Sequence, residues 1–243
     1  GLVESGWIKE PEALGKEIDA LFREAKLPRD KVIVVVTGLP FVYRFLTLPR
    51  MKPSLMEEAV FRAMAREITL PIEELVLSWQ TIGEDNGELQ LFVLGVPYKA
   101  VEAVRKTLRA ARVSPYLMGI RPLALARTAN RANAIVVNIE PDGYDIAFIA
   151  NGIPNVLHSM EPGGPEATLE DNMSRLSAEI LKMEDYYRSS LPGTSQPASM
   201  TILVTGELSE QEKTLDLLQA ESDYPVVTLQ FPVTLPEKCP AGA

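Results

Sequence analysis

The sequence predicts an α/β protein that includes a smaller, compact α+β unit. Three observations predict it. Helical patterns alternate with apolar strand runs along most of the chain, residues 41–122 hold two helices among short alternating strands, and from Ala134 three strands follow one another before helix and strand alternate again. With 243 residues, 46% hydrophobic and 23% charged, the chain can bury one large or two modest cores.

Pro11 opens a helical pattern with Leu14, Ile18, Leu21, Phe22 and Ala25 on one face, ended by Leu27 and Pro28. Lys31 to Thr37 then reads as a buried strand, apolar on both faces as in a sheet covered on both sides. Ser54 and Glu57 form a capping box for a helix striped by Met56, Val60, Met64 and Ile68, with Pro71 just beyond it. Leu75, Leu77 and Trp79 alternate in one strand, and Leu89, Leu91 and Val93 in the next. Val101, Val104, Leu108 and Ala111 mark a second amphipathic helix.

Ala134 to Ile139 is a strand, Pro141 to Gly143 a turn, and Tyr144 to Ala150 a strand. Asn151 and Gly152 make a tight hairpin turn into the strand Ile153 to Ser159. After Gly163 and Gly164, a long helix carries Leu169, Met173, Leu176, Ile180, Met183 and Tyr187 along one seam. A loop from Leu191 to Ser199, the strand Met200 to Thr205, a helix capped by Ser209 and Glu212, and the strand Pro225 to Leu229 complete the pattern. Three strands, a helix, a strand, a helix and a strand is the order of half an actin-like, ribonuclease-H-like core.

A net charge of −9 argues against a general binder of nucleic-acid phosphates and makes a basic peptide a favourable partner. No apolar run is long enough to span a bilayer, and Gly1 to Lys9 lacks the apolar stretch of a signal peptide. A single cysteine, Cys239, cannot form an internal disulfide and fits a reducing compartment, and His158 alone cannot build a zinc site. These features predict a cytoplasmic protein without a metal centre. No motif supplies a nucleophile and supporting acid around His158, and the glycines of Gly38 to Pro40 and Pro162 to Pro165 lack a P-loop lysine. Adjacent carboxylates such as Glu57 and Glu58, Glu73 and Glu74, or Glu184 and Asp185 do not face one another on a helix.

Several separated stretches, in order, resemble the PilM family of type IV pilus assembly proteins. Leu39 and Pro40 with Arg44 to Met51 are similar to a family strand that ends in a Leu-Pro-x-Met sequence before a Glu-rich helix. Leu70 to Glu74, Trp79 to Gly83, Leu108 to Pro115, Arg121 to Arg127, Ala178 to Tyr187 and Ile202 to Gly206 continue the likeness. The resemblance implies a fold akin to the division protein FtsA. Residues 1–40 would be the remainder of the first actin-like half, 41–122 the inserted subdomain, 123–133 a helix returning to the first half, and 134–243 the second half. It also implies a non-catalytic role on the cytoplasmic side of the inner membrane, capturing the N-terminal tail of the membrane protein PilN. That tail would lie at the junction of core and insert, where Phe41, Tyr43, Arg44, Phe45 and Leu48 sit. The related cytoplasmic domain of the type II secretion protein GspL, and self-association through the insert, are alternatives.

Actin-like proteins hold magnesium and ATP with glycine-rich hairpins whose bare backbone approaches phosphate, and with an Asp that holds the metal's waters. The resemblance implies three such stations. The first would precede Gly1 to Phe22, which already read as the segment and helix that follow it. At the second, the family's Asp-Ile-Gly stands as Asn138, Ile139 and Glu140, followed by Gly143, Tyr144 and Asp145. A carboxylate at Glu140 would repel phosphate by about 1 to 4 kcal/mol at 4 Å, depending on the local dielectric. Tyr144 stands in place of a small hydroxyl residue. The third station has Gly206 alone where the family has two glycines, and Gly163 and Gly164 remain as a turn. The expectation is a vestigial cleft without a cofactor, the alternative an actin-like ATPase that binds ATP with magnesium.

Overall fold

The computed structural model describes residues 1–4, 6–164, 166–190, 200–210 and 212–230, so the loop Leu191 to Ser199 and Cys239 lie outside it. The chain divides into two compact units, Gly1–Met118 and Gly119–Ala243.

The first unit opens with the short antiparallel pair β1 (Val3–Glu4) and β2 (Trp7–Ile8), then α1 (Pro11–Glu24) and β3 (Val32–Val36). β4 (Val42–Pro49), α2 (Pro53–Glu67), a 3-10 turn (Ile72–Glu74), β5 (Leu75–Asp85) and β6 (Glu88–Pro97) follow. α3 (Tyr98–Ala110) and β7 (Pro115–Ile120) complete this part of the chain. The strands form an antiparallel sheet in the order β4-β6-β5 and a separate pair β3-β7. α2 covers one face of the three-stranded sheet, burying Val60 and Met64 against Leu46, Leu91 and Val93. Its start differs from the capping box read in the sequence: Pro53 opens the helix after Lys52, with no side-chain cap. Proline there has no N–H to leave unsatisfied.

β3 differs from its expectation as well. Val32, Val34 and Val36 pack with Ile18 and Phe22 of α1 and Val104 and Leu108 of α3, but Ile33 is 62% exposed and Val35 42% exposed. The reason is topological: a two-stranded sheet backed by helices on one side leaves its other face open. α3 and α1 approach so closely that a Cβ on Gly15 would lie 2.5 Å from Ala110 Cβ and 2.6 Å from the Thr107 carbonyl oxygen. The second helix predicted within 41–122 thus packs its buried stripe on α1 and β3.

The second unit contains α4 (Arg121–Ala129), β8 (Ala134–Glu140), β9 (Gly143–Ala150), β10 (Ile153–Met160) and α5 (Leu169–Ser190). β11 (Ile202–Thr205), a 3-10 turn (Glu207–Glu210), α6 (Glu212–Ala220) and β12 (Val226–Thr228) follow. Its five-stranded sheet has the order β10-β9-β8-β11-β12, with β8, β11 and β12 parallel and β9 antiparallel to its neighbours. Asn151 and Gly152, both at positive φ, turn β9 into β10 as their sequence requires. One face buries Ile135, Val137, Ile139, Tyr144, Ile146 and Phe148 beneath the α5 seam of Met173, Leu176, Ile180, Met183 and Tyr187. α5 is opened by Thr168 and Asp171, whose backbone N–H groups and side chains bond each other reciprocally. Ser209, predicted to cap α6, instead donates its hydroxyl to the Gly206 carbonyl at 2.6 Å within the 3-10 turn.

Candidate functional site

In the first unit, strand pairing decides where the predicted partner-binding residues point. Phe45 lies directly opposite Phe92, and Leu46 opposite Leu91. Because strand side chains alternate and Leu46 and Leu91 are buried with α2, Tyr43 and Phe45 occupy the face away from that helix. There they form an aromatic group with Phe92: ring centroids stand 5.7 Å apart for Tyr43 and Phe92, 5.5 Å for Phe45 and Phe92, and 6.3 Å for Tyr43 and Phe45. Phe41 joins at 6.3 Å from Tyr43. Phe92 is buried, whereas Phe45 remains 39% exposed.

Arg44 and Leu48 belong to the opposite face. Leu48 packs into the α2 core. The Arg44 guanidinium donates to the carbonyl of Glu67, the last residue of α2, through Nε at 3.3 Å and Nη2 at 3.2 Å, and to the Tyr43 carbonyl at 2.7 Å. It thereby satisfies a helix-end carbonyl. Of the five predicted residues, Phe41, Tyr43 and Phe45 come together and Arg44 and Leu48 do not join them. Phe92 was missed because the alternation Leu89, Leu91, Val93 marks only the α2 face of its strand.

In the second unit, the register aligns four polar residues across four strands: Thr205, Asn138, Asp145 and Ser159. The row lies on the face opposite α5. Asp145 is 1% exposed, accepting from Arg121 Nε on one carboxylate oxygen and from the Ser159 hydroxyl at 2.6 Å on the other. A strand carboxylate that commonly faces solvent is here wholly enclosed. Asn138 is also buried, and its Nδ2 has no hydrogen-bond partner. At the ends of β8 and β11, Glu140 Oε2 accepts from the Glu207 backbone N–H at 3.2 Å. Gly206 has φ +99°, and a Cβ on it would lie 2.5 Å from the Ile139 carbonyl oxygen.

The remaining glycine positions differ in kind. A Cβ on Gly143 would make ordinary contact with the Met160 carbonyl at 3.6 Å, while one on Gly164 would meet nothing within 4 Å. Gly163 donates its N–H to Asn172 Oδ1 at 2.6 Å. Tyr144 turns to the α5 face, away from Asn138 and Asp145; burial pushes its phenol above the ordinary tyrosine range, and the Arg175 charge pulls it the other way. Among the described residues no group of three or more His, Cys, Asp or Glu side chains is arranged to hold a metal ion. His158 Nε2 stands 3.6 Å from Glu179 Oε1.

No protein-family model matches the chain. No curated protein matches it either. Among solved structures, the PilM-PilN type IV pilus biogenesis complex is similar at 21% identity and a TM-score of 0.72, covering 93% of this chain and 77% of that one. The cytoplasmic domain of EpsL, an inner membrane component of the type II secretion system of Vibrio cholerae, is similar at 16% identity and a TM-score of 0.53, covering 88% of this chain and 86% of that one. No helix among the described residues is long and apolar enough to cross a membrane. With the five-stranded sheet, its flanking helices and these likenesses together, the chain has the actin-like fold of PilM.

Proposed function

We propose that this chain is a non-catalytic scaffold of a type IV pilus assembly platform. It is cytoplasmic, held at the inner membrane by a partner, and captures the N-terminal tail of a PilN-like membrane protein. The observation that carries this reading is the likeness, over 93% of the chain, to a PilM solved in complex with PilN. The surface beside β4 supports it. β4 is an edge strand of its sheet, and Tyr43, Phe45 and Phe92 give it apolar anchors next to backbone that an added strand can pair with.

The test is calorimetric titration with a PilN-like tail peptide, comparing the native chain with Tyr43→Ala and Phe45→Ala. Undiminished affinity in folded variants would move the site elsewhere. The likeness to EpsL favours a second reading, as a cytoplasmic domain of a type II secretion system. Co-purification with the inner-membrane proteins of each system separates the two.

A further inference from the structure

The actin-like fold implies a nucleotide and its metal at the ends of the parallel strands, and the residues present here do not fit that pair. Open α/β sheets receive ligands outside the carboxyl ends of their strands, where free backbone N–H groups meet an anion. In this chain the end of β8 brings the Glu140 carboxylate to the Glu207 N–H, and the adjoining start of β9 brings Asp145 to Arg121.

Three observations agree. Glu140, the last residue of β8, puts its own carboxylate on the Glu207 N–H, so the amide that follows Gly206 already holds an anion. Asp145, the buried carboxylate nearest to Asn138 in the register, is engaged by Arg121 on one oxygen and by Ser159 on the other, so its charge is already matched by a cation within the chain. Asn138 carries an uncharged amide, so it adds no negative charge to hold a cation's waters. The surrounding field points the same way. Residues 119–243 carry 8 Lys and Arg against 17 Asp and Glu, while residues 1–118 carry 16 of each, so the whole negative excess belongs to the unit that would face the phosphates.

We propose that Glu140 and Arg121 are internal replacements for phosphate and metal, so that the strand ends are closed by the chain's own charges and exclude magnesium ATP. Glu140 supplies the anion for the backbone amide, and Arg121 supplies the cation for the carboxylate. The Gly206 conformation then serves the close crossing of two backbones at Ile139. This inference extends the scaffold reading.

The experiment follows the Glu207 amide by nuclear magnetic resonance in the native chain and in Glu140→Ala, with inorganic pyrophosphate and then magnesium ATP as probes. The native amide should not move, and calorimetry should show no magnesium ATP binding tighter than about 1 mM. In Glu140→Ala the amide should shift on adding pyrophosphate. Movement in the native chain, or none in the folded variant, overturns the proposal. If Glu140→Ala does not fold, Glu140→Gln, which removes the charge and keeps the size, is read by the same criterion. Neither readout involves the tail peptide, so this inference and the scaffold reading fail separately.

Discussion

Arg121, the first residue of α4, is bonded through Nε to the carboxylate of Asp145 in β9, a side chain only 1% exposed. The pair fastens a helix to its sheet at the polar row formed by Thr205, Asn138, Asp145 and Ser159. Removing one member of such a pair leaves a buried charge uncompensated. Arg121→Met should therefore lower stability by about 3 to 5 kcal/mol. Denaturant unfolding followed by a probe in the second unit measures it, and adding Asp145→Leu to that variant should recover part of the loss.

Gly206 and Gly164 make a contrasting pair. At φ +99°, with a Cβ only 2.5 Å from the Ile139 carbonyl oxygen, Gly206→Ala should destabilise by about 1 to 3 kcal/mol or more. Gly164→Ala meets nothing within 4 Å, so its thermal midpoint should stay within a degree or two of the native one, equivalent to about 0.5 kcal/mol.

In the first unit, Gly15 sets the approach of α1 to α3. A methyl group there collides with the side chain of Ala110 and the carbonyl of Thr107. Gly15→Ala should cost about 1 to 3 kcal/mol through overpacking, outweighing the gain in helix propensity of about 1 kcal/mol. Thermal unfolding gives the sign directly.

The two faces of β4 should separate in binding. Tyr43→Ala and Phe45→Ala should weaken the tail peptide about tenfold each, a loss near 1.4 kcal/mol. Arg44→Met and Leu48→Ala should leave that affinity nearly unchanged, because both side chains serve α2. Arg44→Met should instead lower stability by about 0.3 to 1 kcal/mol through loss of the helix-end contact. Anisotropy of a labelled peptide, beside thermal unfolding, distinguishes the two effects.

The start of α5 responds to acid. The Lys213 ammonium and its own backbone N–H hold the Glu170 carboxyl below its ordinary value, and the Thr168 backbone and hydroxyl do the same for Asp171. A carboxyl whose folded-state pKa is depressed adds stability that is full above the unfolded-state pKa of about 4 and is lost as pH falls through the folded value. Stability of the second unit should thus decline below about pH 4, and Asp171→Asn should flatten that decline. Acid titration by circular dichroism checks both.

Periodicity alone made most of the elements legible. The α5 seam, the Asn151 and Gly152 hairpin and the Met56 to Ile68 stripe each depend on neighbours in sequence, and local spacing states them outright. The exposed face of β3 was not legible, because Ile33 and Val35 have the chemistry of core residues and only the number of strands beside them leaves them uncovered.

The sequence by itself determined the order of the helices and strands and which of their faces are apolar, and its resemblance to the PilM family implied that Asn138 and Glu140 replace an aspartate and a glycine. Tertiary structure decided what those residues meet. Phe92 faces Phe45 across 47 positions, as Asp145 meets Arg121 across 24, through pairing and packing that no local period encodes. Whether a side chain is an anchor, a helix cap or a buried counter-ion depends on the atoms brought to it from distant parts of the chain. That is why Tyr43 and Arg44, adjacent in sequence, are parted by a sheet in the folded protein.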